Sequence, residues 1–367
     1  MKKIFLMMMT AILFLTALTA CGPGSGDSSS TQTPADSASA ASTKSADIST
    51  LEGTDFSEKV KLTFGIGGAA GQGTAVALQN AIDLIYERSG GAIEIELVAD
   101  GALGNEASLL AQAMEGSIDI CGCAIGTVSN YSDYLGIFQM PFLINSYELE
   151  AAVLQSDAWK ELVAAANAEL ETATIVGASE FGMRHFATIK NPVNTIDDLG
   201  GMKIRTGGNP VIDSALAMLG ANPVNVNFAE LYSALQNGVV DGEEINATSV
   251  SMQKHYEVIN YISEIGIYPW LSLTIMSNST VEALPEGYFE LITECFAEAD
   301  MEYMETTVYE WDQEARQDCI DNGIEFNTIE DKEVWITTMA PLYEEWIAKG
   351  GVYESFITSV QELAGQF

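Results

Sequence analysis

Two arginines stand out in a chain that has few positive charges. Arg184 and Arg205 are among only 15 lysines and arginines, against 52 aspartates and glutamates, in 367 residues. An arginine side chain is a planar fork that can meet a carboxylate through two parallel hydrogen bonds. Arg205 ends a short strand pattern (MKIR), and open α/β sheets bind their ligands beyond the carboxyl ends of strands. The arginines therefore predict a cleft for a small organic acid.

Each arginine also has an alternative interpretation as half of an internal ion pair. A buried guanidinium group needs an anion, because leaving it unpaired away from water is costly. Glu180, Glu230 and Glu243 are acids of the same region that could supply that anion. On the residues alone, ligand binding and internal pairing remain equally open.

Strand and helix patterns alternate along most of the chain. In the first half they fall at 59–66, 75–88, 93–99, 103–114 and 117–124. In the second half they fall at 174–178, 193–199, 202–205, 211–219, 221–226 and 229–237, followed by strands at 258–261 and 265–275, a long helix over 286–319 and further helices over 326–367. This alternation predicts an α/β fold with parallel strands and crossover helices, and the length allows two domains.

A glycine-rich loop follows the first strand pattern and contains Gly67 and Gly68. Glycines at this place let backbone amides line a cleft at a helix N-terminus, which suits an anionic or polar ligand. The run from Gly65 to Ala70 also matches a loose dinucleotide fingerprint, but the match is short and the glycines continue past it. We therefore expect a ligand cleft here rather than a nicotinamide site.

Composition argues against several function classes. The net charge of −37 repels nucleic acid and anionic lipid surfaces. His185 and His255 lie in no nucleophile motif, and the chain has no phosphate loop and no metal-ligand spacing, so we expect neither an enzyme nor a cofactor. Cys121 and Cys123 lie in a strand pattern and are expected to be buried structural residues. Two further cysteines, Cys295 and Cys319, could pair or stay free.

The first residues are typical of a lipoprotein leader. Lys2 and Lys3 precede an apolar run over 4–18, which is too short for a comfortable membrane span and ends in Leu-Thr-Ala-Cys at Cys21. We predict a signal peptide over 1–20, lipidation of Cys21 and a flexible tether over 21–56; the alternative is an ordinary secretory signal with an incidental cysteine. Cleavage would remove two lysines and change the formal charge from −37 to −39.

The central segment carries motifs that resemble a known family. These are DLGGMKIR at 198–205, LGANPV at 219–224 and FAELYSALQNGVVDGEE at 228–244, supported by GALG at 101–104, GSID at 116–119, MPF at 140–142 and Leu284-Pro285. Together they are similar to the extracytoplasmic solute receptors of TRAP (tripartite ATP-independent periplasmic) transporters, the DctP-like family. The resemblance covers the chain from residue 59 to its C-terminus.

The resemblance implies a periplasmic-binding-protein-like fold. Two α/β domains would be joined by crossing strands and a long domain-spanning helix, and would close over a carboxylate in a central cleft. In the family's pattern Arg205 holds the carboxylate, Arg184 is the second arginine and Phe228 is the aromatic residue beside them. The ligand-binding residues that we assign are Arg205, Arg184, Phe228, Gly67, Gly68, Asn209, Asn246 and Trp270. Trp270 could wall the ligand or only pack near the hinge.

Three departures from the family's pattern bear on the ligand. Ile245 stands where many relatives have asparagine, with Asn246 next; the loop after the third strand, at 123–126, is apolar; and Gly67 and Gly68 replace a frequent asparagine. Each departure removes a polar side chain from the ligand's distal end. We therefore expect a compact keto, hydroxy, amino or dicarboxylic acid, or one with an apolar tail, rather than a highly hydroxylated acid such as a sialic acid.

These expectations define one function and its alternatives. The chain is expected to be a cell-envelope receptor, tethered by lipid to the outer face of the cytoplasmic membrane, that delivers an organic acid to the two TRAP membrane subunits. A sensor that feeds a signalling receptor, or an envelope enzyme, would be the alternatives. We place one domain at 57–181 and 270–310, and the other at 182–269 and 311–367.

Overall fold

The computed structural model describes residues 53–71, 73–329 and 331–367. The predicted signal peptide, Cys21 and all but the last four residues of the predicted tether lie outside these ranges. Within the ranges, no helix combines the length and the apolar content that a bilayer crossing requires.

The strands of the described residues form two separate sheets, as the α/β pattern predicts. In chain order they are β1 (Val60–Ile66), β2 (Ile93–Val98), β3 (Ile120–Ala124), β4 (Ala173–Met183), β5 (His185–Thr188), β6 (Lys203–Thr206), β7 (Asn222–Asn225), β8 (Gly242–Ile245), β9 (Tyr261–Glu264), β10 (Pro269–Ser277) and β11 (Glu325–Thr328). The first sheet has the order β2-β1-β3-β10-β4 and the second β11-β9-β5-β8-β6-β7. In the first sheet β1 runs parallel to β2 and β3, as predicted, whereas β10 runs antiparallel to its neighbours.

Helices connect and cover these strands. They are α1 (Thr74–Arg88), α2 (Glu106–Glu115), α3 (Ile125–Val128), α4 (Asp133–Gly136), α5 (Tyr147–Gln155), α6 (Asp157–Leu170), α7 (Pro210–Met218), α8 (Phe228–Gln236), α9 (Ala247–Met252), α10 (Asn278–Ala283), α11 (Tyr288–Thr306), α12 (Val308–Asp321), α13 (Lys332–Thr338), α14 (Ala340–Ile347) and α15 (Gly351–Ala364). The described residues also contain three short 3₁₀ helices, at Ile137–Gln139, Ile196–Leu199 and His255–Glu257.

Side chains fix several helix starts. Thr195 and Asp198 form the predicted capping box, in which each side chain accepts from the other residue's backbone, although the turn they cap is 3₁₀. The helix predicted from residue 103 begins later, at Glu106, because the side chain of Asn105 caps it by accepting from Ser108 N. Residues 103–105 therefore belong to the loop that leads into α2.

Two segments cross between the sheets side by side. One runs from β4 into β5 through Arg184, and the other runs from β9 into β10 through residues 265–268. Backbone hydrogen bonds of 2.9 Å join them, from Arg184 N to Tyr268 O and from Ile267 N to Arg184 O. Gly182, just before the crossing, has φ of 121°, a conformation that favours glycine. The expected crossing strands are thus confirmed, and Arg184 lies at the crossing itself.

The predicted long helix is present as two helices that meet at Thr307. Thr307 has φ of −123°, which interrupts the helix between α11 and α12. Helix α11 packs on α1 and β4, whereas α12 packs on α9 beside the second sheet. The helical run therefore reaches from the first sheet toward the second, as expected, but with a break at Thr307.

The C-terminal helices pack against the first half of the chain. Helix α15 lies on α5 and α6. Its buried Phe356 joins a cluster in which the ring of Phe138 lies 5.3 Å from that of Trp159 and 6.4 Å from that of Phe356. The domain boundaries that we drew at 181, 269 and 310 remain a prediction.

The four cysteines of the described residues are buried free thiols. Cys121 and Cys123 lie two positions apart on β3, with their sulfur atoms 3.7 Å apart. Cys295 and Cys319 lie on different helices and are not paired with each other.

Acidic side chains are buried close to the crossing strands. Glu150 of α5 and Glu180 of β4 are fully buried, and neither oxygen of the Glu150 carboxylate has a hydrogen-bond partner among the described residues. Burial and the charge of Glu180 raise the pKa of Glu150 well above its usual range. Burial also raises the pKa of Glu180 to about 7. The folded protein therefore holds protons here that the unfolded chain releases, so its stability falls as pH rises from about 4.5 through 7.

Replacing Glu150 with glutamine should stabilise the protein at alkaline pH. The amide is nearly the same size, needs no proton, and can donate to the free Oε2 of Glu180. We expect a gain in the free energy of unfolding on the order of 1 kcal/mol or more at pH 8 that shrinks toward pH 5. Thermal melts across this pH range measure it, with exposed Glu148→Gln on the same helix as the control. An equal gain at both pH values would contradict the titration.

Candidate functional site

Arg205 is buried at the end of β6 and only part of its guanidinium group is satisfied. The side chain is 5% exposed, and its Nε donates to the carbonyl oxygen of Val226 at 3.0 Å. The guanidinium carbon lies 5.9 Å from the centre of the Phe228 ring, so the predicted aromatic neighbour is present. Among the described residues, no carboxylate lies within 4.0 Å of Arg205.

The positive charge of Arg205 is incompletely balanced. Burial lowers its pKa below the usual value, because the attraction of Glu244 and Glu243 does not offset the loss of water and Arg184 adds repulsion. Glu243 faces Arg205 in the register of β6 and β8, but its carboxylate contacts His255 Nδ1 at 3.0 Å instead. An anion placed at Arg205 would supply the missing partner.

Arg184 is an internally paired residue. Its Nε donates to Glu244 Oε2 at 2.7 Å, and its Nη2 donates to the Glu244 carbonyl oxygen. The hydroxyl of Tyr268 donates to the same Glu244 oxygen at 2.5 Å. Internal pairing was one of the two interpretations, but the partners suggested from the sequence were wrong: Arg184 pairs with Glu244, on the strand that lies next to β5.

The two assigned asparagines are engaged by protein groups. Asn246 is fully buried and donates through Nδ2 to Phe181 O at 2.7 Å, while its Oδ1 accepts from Arg184. Asn209 caps α7 by accepting from Val211 N at 2.8 Å, and its Nδ2 donates to Gln139. Both therefore hold the backbone around the arginines, and their role toward a ligand stays a prediction.

Trp270 lies in an aromatic cluster next to the crossing strands. Its ring centre is 4.9 Å from that of Phe181, which in turn lies 4.9 Å from the ring of Trp311 on α12. Gly73 lies against this cluster, where a β-carbon would come within 2.2 Å of the Phe181 ring. The contacts of Trp270 are those of a packing residue, although it is partly exposed.

The other face of the site comes from the first sheet. Gly67 and Gly68 are exposed after β1, and a β-carbon at Gly67 would lie 3.6 Å from Cγ of Glu106. Glu106 accepts from Thr127 Oγ1 at 3.1 Å and from Ala124 N at 3.4 Å. Burial raises the pKa of Glu106, and the charge of Arg205 partly opposes this rise.

Sequence reasoning missed Glu106 and the role of Glu244. The loop at 123–126 has apolar side chains, as noted, yet the carboxylate of Glu106 reaches this place from α2. The spacing from Gly104 through the cap at Asn105 was the available signal, because it sets Glu106 on the first turn of that helix. Glu244 was part of the recognised motif but was not considered as a partner of Arg184.

The site can hold a carboxylate at Arg205 and a hydrogen-bond donor at Glu106. Within the described ranges, no group of three or more histidine, cysteine or acidic residues is placed to hold a metal ion. The guanidinium group of Arg205 and the carboxylate of Glu106 can each hydrogen-bond to a polar organic anion.

A family model identifies the chain. The model of the bacterial extracellular solute-binding protein family 7, DctP, matches residues 68–349. The chain belongs to this family. Its members are extracellular solute-binding proteins, so this DctP-family protein is a receptor of the TRAP type with the two-domain fold, as the sequence motifs predicted.

Individual relatives agree with this assignment. The DctP-family chain is 30% identical over 265 residues to the protein YiiZ of Salmonella typhimurium, covering 71% of this chain and 79% of that one. It is 25% identical over 277 residues to the C4-dicarboxylate-binding protein DctB of Bacillus subtilis, covering 74% and 77%. A TRAP periplasmic solute-binding protein of Pseudomonas putida, crystallised with D-glucuronate, superposes with a TM-score of 0.77 at 25% identity over 82% of this chain and 97% of that one.

Proposed function

We propose that this DctP-family receptor binds a small organic acid between its two sheets, with the carboxylate held by Arg205. The observation that carries the proposal is a buried guanidinium group with no carboxylate of the described residues within 4.0 Å. A bidentate carboxylate is the anion that best fits a planar guanidinium fork. The ring of Phe228 supports the bound group from the side.

Binding would act through closure at the crossing strands. A ligand held by groups of both sheets favours the closed arrangement in proportion to its higher affinity for that arrangement. The chain passes between the two sheets in the paired segments at Arg184 and Tyr268, and again through α11 and α12, which are separated by a break at Thr307. The closed receptor would then dock on the membrane subunits of a TRAP transporter.

Relatives limit the class of ligand. DctB of Bacillus subtilis is named for C4-dicarboxylates, and the Pseudomonas putida protein holds D-glucuronate. Both ligands are small carboxylates, in agreement with the proposed role of Arg205.

A thermal-shift screen of the purified protein against small organic acids tests the proposal, because a ligand at a hundred times its Kd stabilises the folded protein by about 2.7 kcal/mol. Stabilisation only by neutral or cationic solutes would contradict it.

We further propose that the receptor is anchored by lipid at Cys21 and transports its ligand without changing it. The lipoprotein leader that ends in Leu-Thr-Ala-Cys at Cys21 supports the anchor. Membership of a solute-binding family supports transport of the ligand without a chemical reaction. Metabolic labelling with a fatty acid in a bacterial host should label the wild type and lose the label in Cys21→Ser. Recovery of the bound acid unchanged after prolonged incubation is the expected result; a new product would point to an enzyme.

A further inference from the structure

We propose that His255 takes up a proton when an organic acid binds at Arg205, so that the receptor captures the anion together with one proton. The proton on His255 would neutralise Glu243, which faces Arg205 from the neighbouring strand. This inference rests on the proposed function and assigns a positioning residue that acts on Arg205 through Glu243.

His255 and Glu243 form a fully buried pair. Both side chains are 0% exposed, and His255 Nδ1 lies 3.0 Å from Glu243 Oε1. An ionised carboxylate can only accept a hydrogen bond, so Nδ1 carries the hydrogen of this contact. Neither the other oxygen of Glu243 nor Nε2 of His255 has a hydrogen-bond partner among the described residues. As long as His255 is neutral, the charge of Glu243 is therefore neither exposed to solvent nor in contact with a described cation.

Glu243 connects His255 to the proposed carboxylate site. It faces Arg205 in the parallel register of β6 and β8, and its charge attracts the guanidinium group. The ring of Phe228 lies 5.9 Å from the guanidinium carbon of Arg205 and 6.2 Å from the His255 ring, so one aromatic side chain borders both groups. A change of charge on His255 therefore alters the electrostatic environment of Arg205.

The ionised side chains in and next to the second sheet already balance one another around Arg205. Arg184 and Glu244 neutralise each other as an ion pair. This leaves one positive charge on Arg205 and one negative charge on Glu243. A carboxylate at Arg205 would then add a negative charge without a partner, which is costly away from water. A proton on His255 restores the balance, and histidine is the side chain suited to gain one between pH 5 and 8.

The other groups around His255 leave this role to Glu243. Tyr232 of α8 has its ring 6.2 Å from the ring of His255, but its hydroxyl group donates to Glu257 at 2.7 Å. Lys254 and Glu257, on either side in the same turn, are exposed. Helix α9, which packs on the turn, carries no titratable side chain.

Nuclear magnetic resonance of the histidine rings tests the proton directly. The chain has two histidines, so the untagged receptor labelled with ¹⁵N-histidine gives signals from two rings, and His255→Asn assigns them. His185 is the internal reference, because its Nδ1 accepts from Ile265 N at 3.2 Å and from Gly266 N at 3.1 Å, and loss of water around the ring lowers its pKa to about 4. At pH 7.5 a saturating acid should change the His255 ring from the neutral to the charged form and leave His185 neutral.

The acid used is whichever of D-glucuronate, D-erythronate, glycolate and succinate binds the wild type most tightly. All four are ionised from pH 7 to 8.5, so any proton taken up goes to the protein. Calorimetry in buffers of different ionisation enthalpy counts these protons. We expect about one proton per bound acid at pH 7.5, and therefore a Kd that rises about tenfold per pH unit between pH 7 and 8.

Three variants assign the proton. His255→Asn keeps a donor at the position of Nδ1 but cannot be charged, so proton uptake should be lost and Kd should not change with pH. Glu243→Gln removes the charge that the proton neutralises, so it should bind the acid at least tenfold more tightly than the wild type at pH 8.5, without proton uptake. Glu257→Gln removes an exposed charge from the same turn and should behave like the wild type.

The outcomes separate this inference from the proposed function. A His255 ring that is charged before the acid is added, or neutral afterwards, would overturn the inference and leave the receptor function intact. Proton uptake that is lost in Glu106→Gln but kept in His255→Asn would assign the proton to Glu106 instead. Weaker binding in both His255→Asn and Glu243→Gln with an unchanged pH dependence would make the pair purely structural. Binding of none of the four acids by the wild type would contradict the proposed function itself.

Discussion

Replacing Arg205 with alanine is expected to lower the affinity for the bound acid about 30-fold or more while the unliganded protein stays folded. Truncating one partner of a buried, hydrogen-bonded charge pair costs about 2–5 kcal/mol of binding energy, and every 1.4 kcal/mol is a tenfold change in Kd. The unliganded protein loses only the bond to Val226 and the contact with Phe228, and it is relieved of a buried charge that is incompletely balanced. Thermal melts and titration of the same samples measure both effects.

Two further variants make this result specific. Arg205→Lys keeps the charge but not the planar fork, so we expect it to recover only part of the affinity. Lys203→Ala removes a positive charge from the exposed start of the same strand and should leave the affinity within threefold of the wild type. Equal losses in Lys203→Ala and Arg205→Ala would mean that the general field, rather than a contact at Arg205, attracts the acid.

The sequence predicted the fold well because its signals are local. Strands β1, β2 and β3 and helix α1 follow from periodic apolar residues, and the capping box at Thr195 and Asp198 marks a turn by itself. The strand predicted at 174–178 instead extends over Ala173–Met183, because pairing along β10 supports residues whose own pattern is weak. The break at Thr307 likewise has no signal in the apolar periodicity.

The site was harder to predict because it depends on contacts between distant segments. Arg205 was identified from its strand and motif, and in the structure it has no ion-pair partner among the described residues. Arg184 has the same chemistry but lies beside Glu244, 60 positions away, and nothing local distinguishes a paired arginine from a free one. Glu106 was missed for the opposite reason, since its carboxylate acts at the end of a strand to which it does not belong.

Exchanging Arg184 for methionine should destabilise the protein strongly. Arg184 and Glu244 are 5% and 1% exposed, so the exchange leaves a buried carboxylate with Tyr268 as its remaining donor. Removing one partner of a buried ion pair costs about 3–5 kcal/mol. Denaturant unfolding measures the loss. Arg316→Met, which breaks the partly exposed pair with Glu264, is the matched control and should cost about 1 kcal/mol or less.

The double variant Arg184→Met/Glu244→Gln separates pairing from ligand binding. If Arg184 serves mainly to neutralise Glu244, the neutral amide should recover much of the lost stability, since no unpaired charge remains. Affinity for the acid should follow the same order. It falls in Arg184→Met, because Glu244 has then lost its ion-pair partner and its charge, which already attracts Arg205, competes with the ligand. It returns toward the wild-type value in the double variant, in which the amide carries no charge. An affinity lost equally in both variants, with little change in stability, would instead make Arg184 a second direct contact of the ligand.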